Sequence, residues 1–387
     1  MLKLLLISLC LFAEPLAAQS CGGKFSNFLG KLVDEAALIG INRAIAKDFL
    51  VGAQQNQAVL AADQSQGIFQ RNFIDFSRRL ISNNRIENGR LQAQQQDAIF
   101  DRIDADFGIP RSVLLAFWAF ETDFGAVQGN FNTRNALVTL AHDCRRPELF
   151  RPQVFAAMEL FARGDFDPAI TTGAWAGEIG MVQMLPSDII ENGRDGDEDG
   201  LISLKDSAPD ALLSGASVLS SLGWQAGEPW LQEVTVPTEM DWSLSGTETK
   251  LAAGDWAAMG VSARRGQLAN LQASLILPMG RKGPAFLAYP NFDVYFEWNQ
   301  SFVYVLTAAY FGTLLQGAPV YIAGNPDAGF SGEQIQALQL KLEGHGYNVG
   351  GVDGILGARS RVAIQAEQTR LGMPADAWPT VALLNAL

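Results

Sequence analysis

Residues 109–125 read IPRSVLLAFWAFETDFG, an apolar run that ends in polar residues. Pro110 suits the first turn of a helix and Gly125 suits its end, so the run predicts one helix. Glu121 lies four residues after Phe117. This spacing places the glutamate on the same face as the apolar side chains. The stretch therefore predicts a carboxyl group that a helix carries into an apolar environment.

A carboxyl group in such an environment is a candidate acid catalyst. Loss of hydration disfavours the charged form and raises the carboxyl pKa, which a general acid needs near neutral pH. The alternative is that Glu121 is a helix-end side chain that reaches solvent or pairs with an arginine. Asp123 is two residues away and points to another face, so it is not a facing partner. One carboxyl is enough for substrate-assisted glycoside cleavage, although a partner from elsewhere in the chain stays open.

A second unusual stretch, GAWAGEIGMVQMLPS, occupies residues 173–187. Its three glycines allow the backbone to approach a ligand closely. Gln183 offers both a donor and an acceptor to sugar hydroxyls or to an amide. The alternative is a glycine-rich bend between helices, in which Gln183 is a buried structural amide.

Residues 195–206 read DGDEDGLISLKD and match a calcium loop of the EF-hand type. Carboxylates stand at loop positions 1, 3, 5 and 12, with glycine at position 6. Aspartate replaces the usual glutamate at position 12, which makes bidentate ligation there less secure. We expect a structural Ca²⁺, and the alternative is an acidic turn without metal. The predicted ligands are Asp195, Asp197, Asp199, the carbonyl group of Leu201, and Asp206.

The N-terminus has the layout of a secretory signal peptide. Lys3 precedes an apolar run of roughly ten residues, which is short for a membrane span. The small residues Ala17 and Ala18 follow. The alternative is an N-terminal core helix. Residues 1–20 are therefore predicted to direct export and to be removed, and no later stretch of the mature chain predicts a transmembrane helix.

Export would leave two of the three cysteines, Cys21 and Cys144. An oxidising compartment lets such a pair persist as a disulfide. Cys21 could instead be a lipidated N-terminal cysteine. However, Ala18 stands where a large aliphatic residue usually precedes a lipidated cysteine. Pairing is the favoured prediction, and lipid anchoring is the alternative.

The pattern of the remaining chain is mostly helical. Between residues 25 and 320, apolar side chains recur at three- and four-residue spacing, and residues 233–237 are the best strand candidate. Ser331 and Gln334 have the spacing of a capping box, which begins a short unit of three predicted helices. The sequence thus predicts a mainly α chain with a signal peptide at 1–20, a catalytic domain at 21–318, a linker at 319–330 and a small domain at 331–387.

Composition and missing motifs exclude several function classes. The chain has 387 residues and a net charge of −13, so its acidic surface repels phosphate backbones and no nucleic-acid partner is expected. The sequence contains no zinc-spaced cysteine–histidine cluster, no phosphate-binding or dinucleotide fingerprint, and no GxSxG elbow. His142 and His345 are best explained by packing or capping.

Taken in order, these segments resemble the lytic murein transglycosylase B family over residues 25–318. The matching stretches are 117–125, 143–147, 177–187, the acidic loop, 289–293 and 298–304. The resemblance implies a lysozyme-like α(+β) catalytic domain in which Glu121 matches the catalytic glutamate. The chain departs from the family at Ala174, which is often serine, and at Trp298, which is often tyrosine. The resemblance also implies glycan or peptide subsites lined by Arg145, Arg146, Gln183, Asn299 and Tyr304.

Residues 331–387 resemble the three-helix peptidoglycan-binding domain of wall enzymes. Glu367 departs from that pattern, in which an aromatic residue is common. The two resemblances together imply a periplasmic enzyme whose partner is the glycan strand of peptidoglycan. The residues that carry this second resemblance include Leu338, Leu342, Gly346, Tyr347, Asp353, Gly354, Ser360 and Ala363.

The implied activity is that of a lytic transglycosylase without a catalytic cofactor. Glu121 would cleave the β-1,4 bond between N-acetylmuramic acid and N-acetylglucosamine and form a 1,6-anhydro end. Two alternatives stay open. A hydrolytic muramidase would need a second carboxylate across the cleft, and a non-catalytic wall-binding scaffold would need none.

Overall fold

The helix predicted at 109–125 lies at the centre of the structure. The computed structural model describes residues 21–64 and 71–387, so the predicted signal peptide lies outside the described residues. The central helix, α7 (Arg111–Thr122), begins after Pro110 and ends at Asp123, whose backbone is left-handed (φ 52°). It packs against α14 (Phe302–Leu315), and both helices are buried on nearly every face.

The described part of the chain forms seventeen helices, none with both the length and the hydropathy needed to cross a bilayer. Those before the acidic loop, besides α7, are α1 (Phe25–Leu38), α2 (Arg43–Leu50), α3 (Gln57–Gln64), α4 (Phe73–Leu80), α5 (Asn83–Gln95), α6 (Asp97–Phe107), α8 (Thr133–His142), α9 (Pro147–Arg163) and α10 (Pro186–Asn192). Those after it, besides α14, are α11 (Ala208–Ser221), α12 (Ala253–Ala258), α13 (Pro290–Trp298), α15 (Gly332–Gly344), α16 (Ala358–Arg370) and α17 (Val381–Ala386). One apolar core surrounds α7 and α14, and a second lies among α1, α8 and α9.

A five-stranded antiparallel sheet lies between α11 and α13 in the chain, with the strand order β4-β6-β7-β3-β5. The sequence predicted only β3, and placed it two residues late. Strands β6 and β7 are buried along almost their whole length, so they lack the alternation that marks a half-buried strand. The strands are β1 (Phe131–Asn132), β2 (Thr172–Gly173), β3 (Leu231–Thr235), β4 (Leu251–Ala252), β5 (Ser262–Ala263), β6 (Gln272–Ile276) and β7 (Phe286–Ala288), of which β1 and β2 form a separate pair.

The C-terminal unit contains three helices around its own small core. Its first helix, α15, begins with the predicted capping box. Ser331 Oγ accepts from the Gln334 backbone N–H at 3.3 Å, and the Ser331 N–H donates to Gln334 Oε1 at 2.9 Å. The third helix begins at Val381, because Thr380 is its N-cap and its Oγ1 accepts from the Leu383 N–H.

The segment 319–330, predicted as a linker, has no regular structure and lies against its neighbours. Tyr321 is buried, and its hydroxyl is 2.9 Å from Ser77 Oγ on α4. The Trp378 indole N–H of the C-terminal unit donates to the Asp327 carbonyl at 3.0 Å. The C-terminal unit is therefore packed onto the rest of the protein.

Candidate active site

Glu121 lies in the last turn of α7, where the helix begins to emerge from the core. Residues 113–119 are all buried. The predicted apolar stripe is therefore wrong in one respect, because the helix has apolar neighbours on all sides and no polar face. Glu121 meets a low-polarity environment because α7 is central, and it is partly exposed because it stands at the helix end.

Two aromatic side chains bind the Glu121 carboxyl group. The Trp298 indole N–H donates to Oε1 at 3.1 Å, and the Tyr304 hydroxyl donates to the same oxygen. Burial raises the pKa of Glu121 to about 7, against the two hydrogen bonds, which lower it, and with a smaller rise caused by the charge of Glu178. With this pKa, both the protonated and the ionised form of Glu121 are populated near neutral pH.

Packing fixes Trp298, the residue at which the chain departs from the family pattern. Its ring lies 4.5 Å from the ring of Phe117, which stands one turn before Glu121 on α7. The same packing brings the indole N–H to the carboxyl group. A tyrosine at this position would present a hydroxyl instead, so the indole donor to Glu121 is particular to this chain's residue.

The glycine-rich stretch packs directly against the end of α7. Thr122 Oγ1 donates to the Met181 carbonyl at 2.6 Å and accepts from the Gly125 N–H at 2.9 Å. The Met181 N–H in turn donates to the Leu204 carbonyl in the acidic loop. Helix α7, the glycine-rich stretch and the acidic loop are therefore connected by hydrogen bonds.

Glu178 is a second buried carboxyl group, for which the sequence alone predicts no role. Burial raises its pKa, whereas nearby backbone N–H groups and the charge of Arg146 lower it. Its Oε2 is buried and has no hydrogen-bond partner among the described residues. Gly173 makes this bend possible, since a Cβ there would lie 2.0 Å from the Glu178 carbonyl oxygen. Only folding brings Glu178 near Glu121, 57 positions away in the chain.

Gln183 and Asn299 both use part of their amide groups within the protein. Gln183 has a left-handed backbone (φ 54°), and its Nε2 donates to the Gly180 carbonyl at 2.7 Å. Asn299 ends α13, and its Oδ1 accepts from the Ser301 N–H at 2.8 Å. Gln183 Oε1 and Asn299 Nδ2 have no hydrogen-bond partner among the described residues. Each amide therefore has one group available to a ligand.

Arg145 and Arg146 are both bound to Asp63 on α3. Asp63 is almost fully buried, and both guanidinium groups form ion pairs with its Oδ1. Arg146 also lies over the ring of Phe150 at 5.2 Å and acts on the charge of Glu178. The charge of Arg146 thus acts on Glu178. Arg145 is held by Asp63, and its side chain stays partly exposed at the protein surface.

The acidic loop brings together a different set of carboxylates from the predicted one. Asp195 and Asp197 are joined by Asp210, and one oxygen of each lies within 4.8 Å of the others. Asp199 instead accepts from the Leu201 N–H at 2.8 Å, and Asp206 accepts from Ser203 Oγ at 3.0 Å. Asp210 stands four residues beyond the 12-residue loop, in the first turn of α11, which is why the loop pattern does not include it.

Cys21 and Cys144 are joined by a disulfide in the structure, with their Cα atoms 5.1 Å apart. The bond connects the residue four positions before α1 to the segment that follows α8. The Gly22 N–H donates to the His142 carbonyl at 3.0 Å beside it, and the His142 ring packs edge-on against Phe28. His142 therefore has the packing role expected from the sequence.

Loss of the Tyr304 hydroxyl is expected to raise the pKa of Glu121, because that hydroxyl stabilises the ionised carboxylate. A general acid works in its protonated form, so activity falls as pH rises through the pKa of about 7. In Tyr304→Phe this fall should move to higher pH by about one pH unit, as measured by kcat/KM against pH. Tyr310→Phe is the control, because the Tyr310 hydroxyl binds the Tyr321 backbone instead. A shift to lower pH would contradict the assignment.

Glu178→Gln is expected to shift the same profile in the opposite direction. The Glu178 charge raises the pKa of Glu121, so its removal should move the fall in kcat/KM to lower pH by about half a pH unit. Glu191→Gln, at an exposed position of α10, should leave the profile unchanged. If Glu178→Gln and Tyr304→Phe shift the profile in the same direction, then charge and hydrogen bonding do not act on Glu121 as described.

Lysozyme-like enzymes place one carboxylic acid of raised pKa in a cleft of a helix-rich domain, where it protonates a glycosidic oxygen. The fold and the environment of Glu121 define this class of glycan-cleaving enzyme. The chain belongs to the Transglycosylase SLT domain family, which matches residues 24–313. Residues 331–387 match a peptidoglycan binding domain family. The family resemblance found in the sequence is therefore confirmed.

Individual relatives agree with this family membership. The chain is 25% identical to the membrane-bound lytic murein transglycosylase B of Escherichia coli over 302 residues, which cover 74% of this chain and 82% of that protein. It is 34% identical to SltB3 from Pseudomonas aeruginosa, with a TM-score of 0.86 over 94% of this chain and 99% of that chain. SltB3 was solved with NAG-anhNAM-pentapeptide and with NAG-NAM-pentapeptide. The Escherichia coli Slt35 structure with calcium has 24% identity and a TM-score of 0.66, over 76% of this chain and 95% of that chain. The predicted mainly α, lysozyme-like fold is confirmed.

Proposed function

We propose that this chain is a lytic transglycosylase of peptidoglycan. It cleaves the β-1,4 bond between N-acetylmuramic acid and N-acetylglucosamine and leaves 1,6-anhydro-N-acetylmuramic acid ends. The observation that carries the proposal is the position of Glu121 at the end of the buried helix α7, where Trp298 and Tyr304 both donate to its Oε1. Burial raises the pKa of this carboxyl group to about 7. A carboxyl group with that pKa can donate and accept a proton in one cycle near neutral pH. The anhydro ligand of SltB3 supports the same product class.

The reaction uses one side chain in two roles. Protonated Glu121 donates its proton to the glycosidic oxygen, the bond from C1 of the muramyl sugar to that oxygen breaks, and N-acetylglucosamine leaves as the alcohol. The N-acetyl group of the muramyl sugar stabilises the cation that develops at C1. Ionised Glu121 then accepts the proton of the C6 hydroxyl, whose oxygen bonds to C1. The anhydro ring closes without water, and Glu121 is protonated again.

The surrounding residues position the acid and the sugar. Trp298 and Tyr304 donate to Glu121 Oε1 and stabilise the carboxylate between the two steps. Gln183 and Asn299 each retain a free amide group, and we assign these groups to the sugar hydroxyls or the acetamide. Such orientation supplies much of the rate enhancement in a reaction within one molecule. We assign Arg145 and Arg146, whose side chains are partly exposed, to glycan or peptide subsites.

A hydrolytic muramidase is the second candidate, because Glu178 is a carboxyl group in the vicinity of Glu121. Nearby backbone N–H groups and the charge of Arg146 act on the Glu178 carboxyl group, and the charge of Glu178 in turn raises the pKa of Glu121. Its environment therefore fits an electrostatic influence on Glu121 better than attack on the sugar or on water. The transglycosylase reaction, in which Glu121 alone transfers the proton, therefore agrees better with the environments of Glu121 and Glu178.

Mass spectrometry of the soluble products from purified sacculi tests the proposal. We expect muropeptides with anhydro ends, each 18 Da lighter than the corresponding reducing-end product because no water is added. Reducing-end products would establish the hydrolase instead. Intact sacculi that retain bound protein would establish a non-catalytic scaffold.

The proposed place of action is the periplasm. The support is the signal-peptide pattern of residues 1–20 together with the Cys21–Cys144 disulfide, which persists in an oxidising compartment. A cysteine in that bond has no free thiol for a lipid, so the disulfide favours a chain without a lipid anchor. The unit at 331–387 is assigned to binding the wall, and residues 21–318 to cleaving it.

We assign a structural Ca²⁺ to the acidic loop, with Asp195, Asp197 and Asp210 as the carboxylates that would hold it. Three carboxylates within 4.8 Å repel one another unless a cation neutralises them. Asp195 Oδ1 is also buried with no hydrogen-bond partner among the described residues, which is a site for a hard cation. Ca²⁺ here would hold the loop whose Leu204 carbonyl binds the Met181 N–H beside Glu121.

Calcium is expected to raise the thermal stability of the protein. A ligand that binds only the folded state at a hundredfold excess over its Kd adds about 2.7 kcal/mol, which should raise Tm by roughly 5 °C for a domain of this size. Asp197→Asn should remove this rise, as measured by calorimetry with Ca²⁺ and with chelator. Asp206→Asn is the matched control and should retain it. Loss of the rise in both variants would favour the 12-residue loop predicted from the sequence, and a rise retained in Asp197→Asn would contradict the assigned site.

A further inference from the structure

A cavity of about 440 Å³ lies where the C-terminal unit meets the catalytic lobe. One wall is the segment that connects α13 to α14, including Gln300 and Phe302. Arg361 of α16, Trp378 and Arg71 line the cavity as well. The cavity is thus formed by residues of both domains and combines apolar with charged groups.

Arg361 is the distinctive group of this cavity. Its guanidinium lies over the Phe302 ring at 4.6 Å and 5.7 Å from the Trp378 ring. One terminal nitrogen donates to the Pro278 carbonyl at 2.8 Å, while Nε is buried and has no acceptor among the described residues. Burial lowers the pKa of Arg361 to about 10, so the group is still a cation at neutral pH. A buried cation with an unused donor favours an anionic ligand.

The other charged groups leave this cation without a dedicated partner. The acidic residue that acts on Arg361 is Asp376, which already forms an ion pair with Arg281 at 3.1 Å. Within the cavity, the Asp75 carboxylate accepts from Asn72 Nδ2 at 2.8 Å, and Arg71 is a second, exposed cation. The charge of Arg361 is therefore in excess at the cavity wall.

The cavity and the active site share one short segment of chain. Trp298 and Tyr304 bind the Glu121 carboxyl group, and residues 300–303 between them line the cavity. The segment that carries the two donors to Glu121 therefore also forms part of the cavity wall.

We propose that this cavity is a subsite for the peptide stem of peptidoglycan, with Arg361 binding a stem carboxylate. The inference rests on the proposed function, because it assumes that the muramyl sugar lies at Glu121. Guanidinium groups bind carboxylates in a bidentate manner, and the walls formed by Phe302, Phe330 and Ile335 fit the methyl groups of stem alanines. The enzyme thereby prefers glycan that carries peptide.

Calorimetric titration with two ligands tests this subsite. The full chain with Glu121→Gln, which does not turn over, is titrated with NAG-NAM-pentapeptide and with NAG-NAM that lacks the peptide. We expect Arg361→Met to weaken binding of the pentapeptide ligand about tenfold and to leave the peptide-free ligand unchanged. Methionine keeps an apolar chain between the two rings but removes the charge. Arg359→Met, on the same helix but outside the cavity, is the matched control and should bind both ligands normally.

An amidated ligand removes the dependence on the variant's fold. NAG-NAM-pentapeptide whose carboxylates are converted to carboxamides should bind the Arg361-containing protein about tenfold more weakly than the natural ligand. Equal affinity for the amidated and natural ligands would overturn the proposal, as would an equal loss for both ligands in Arg361→Met. Failure of the proposed function gives a separate result. The enzyme with Glu121 intact would then release no anhydro products, with either arginine or methionine at position 361.

Discussion

Replacement of Glu121 by glutamine is expected to abolish the release of anhydro products from sacculi, with a loss of about 10³-fold or more in kcat. Glutamine keeps the Oε1 acceptor for Trp298 and Tyr304, so the side chain should stay in place. What it lacks is the proton that the glycosidic oxygen must receive and the base that the C6 hydroxyl requires. Both steps depend on the same group, so no residual pathway through Glu121 remains.

Binding and folding should survive this substitution. Titration with NAG-NAM-pentapeptide should give an affinity within about twofold of the parent, because the lost interaction belongs to the transition state. Asp123→Asn is the matched control, since Asp123 is two residues away and pairs with Arg85 at 3.0 Å. That variant should keep most of its activity. Turnover by Glu121→Gln would remove Glu121 from the mechanism.

The sequence predicts the helix and the apolar environment of Glu121 well, because the information is local. Pro110 marks the start of α7, and the apolar run that follows predicts both the helix and the environment of Glu121. The capping box at Ser331 was predicted for the same reason, since its two partners are three residues apart. Such features depend on a few neighbouring residues, and tertiary packing does not alter them.

The residues that shift the pKa of Glu121 cannot be identified from local sequence patterns. Trp298 and Tyr304 stand 177 and 183 positions from Glu121, and only the packing of α13 and α14 against α7 brings them to it. Glu178 was visible in a glycine-rich stretch, but nothing in that stretch shows which carboxyl group it faces. The family resemblance named Tyr304 and treated Trp298 as a departure, so the indole hydrogen bond is information from the fold.

The acidic loop shows the same limit on a smaller scale. Spacing alone predicted Asp195 and Asp197, which the structure places together. Asp210 joins them because its carboxylate accepts from the Gly196 and Ser203 N–H groups, both at 2.7 Å, and so draws the loop around the start of α11. A pattern of 12 residues cannot contain a partner at the sixteenth. The five-stranded sheet was missed for a related reason, since its strands are very short or buried on both faces.

Removal of the Cys21–Cys144 disulfide is expected to cause the largest loss of stability. The bond spans 123 residues. Closing a loop of that length in the unfolded chain is expected to contribute about 4–5 kcal/mol in the chain-entropy model. The measured loss should be smaller, because the unfolded chain retains some structure. We expect Cys21→Ala with Cys144→Ala to lower Tm by roughly 5–10 °C in calorimetry.

Reduction of the unchanged protein supplies the matched experiment. A thiol reductant should lower the Tm of the parent to that of the double variant and should leave the variant itself unaffected. Activity at 25 °C should persist in both, because Tyr304 and the residues of α7 before Glu121 belong to a core other than the α1–α8–α9 core beside the disulfide. An equal Tm for the parent with and without reductant would mean that these cysteines do not pair, and the support for an oxidising compartment would then rest on the signal-peptide pattern alone.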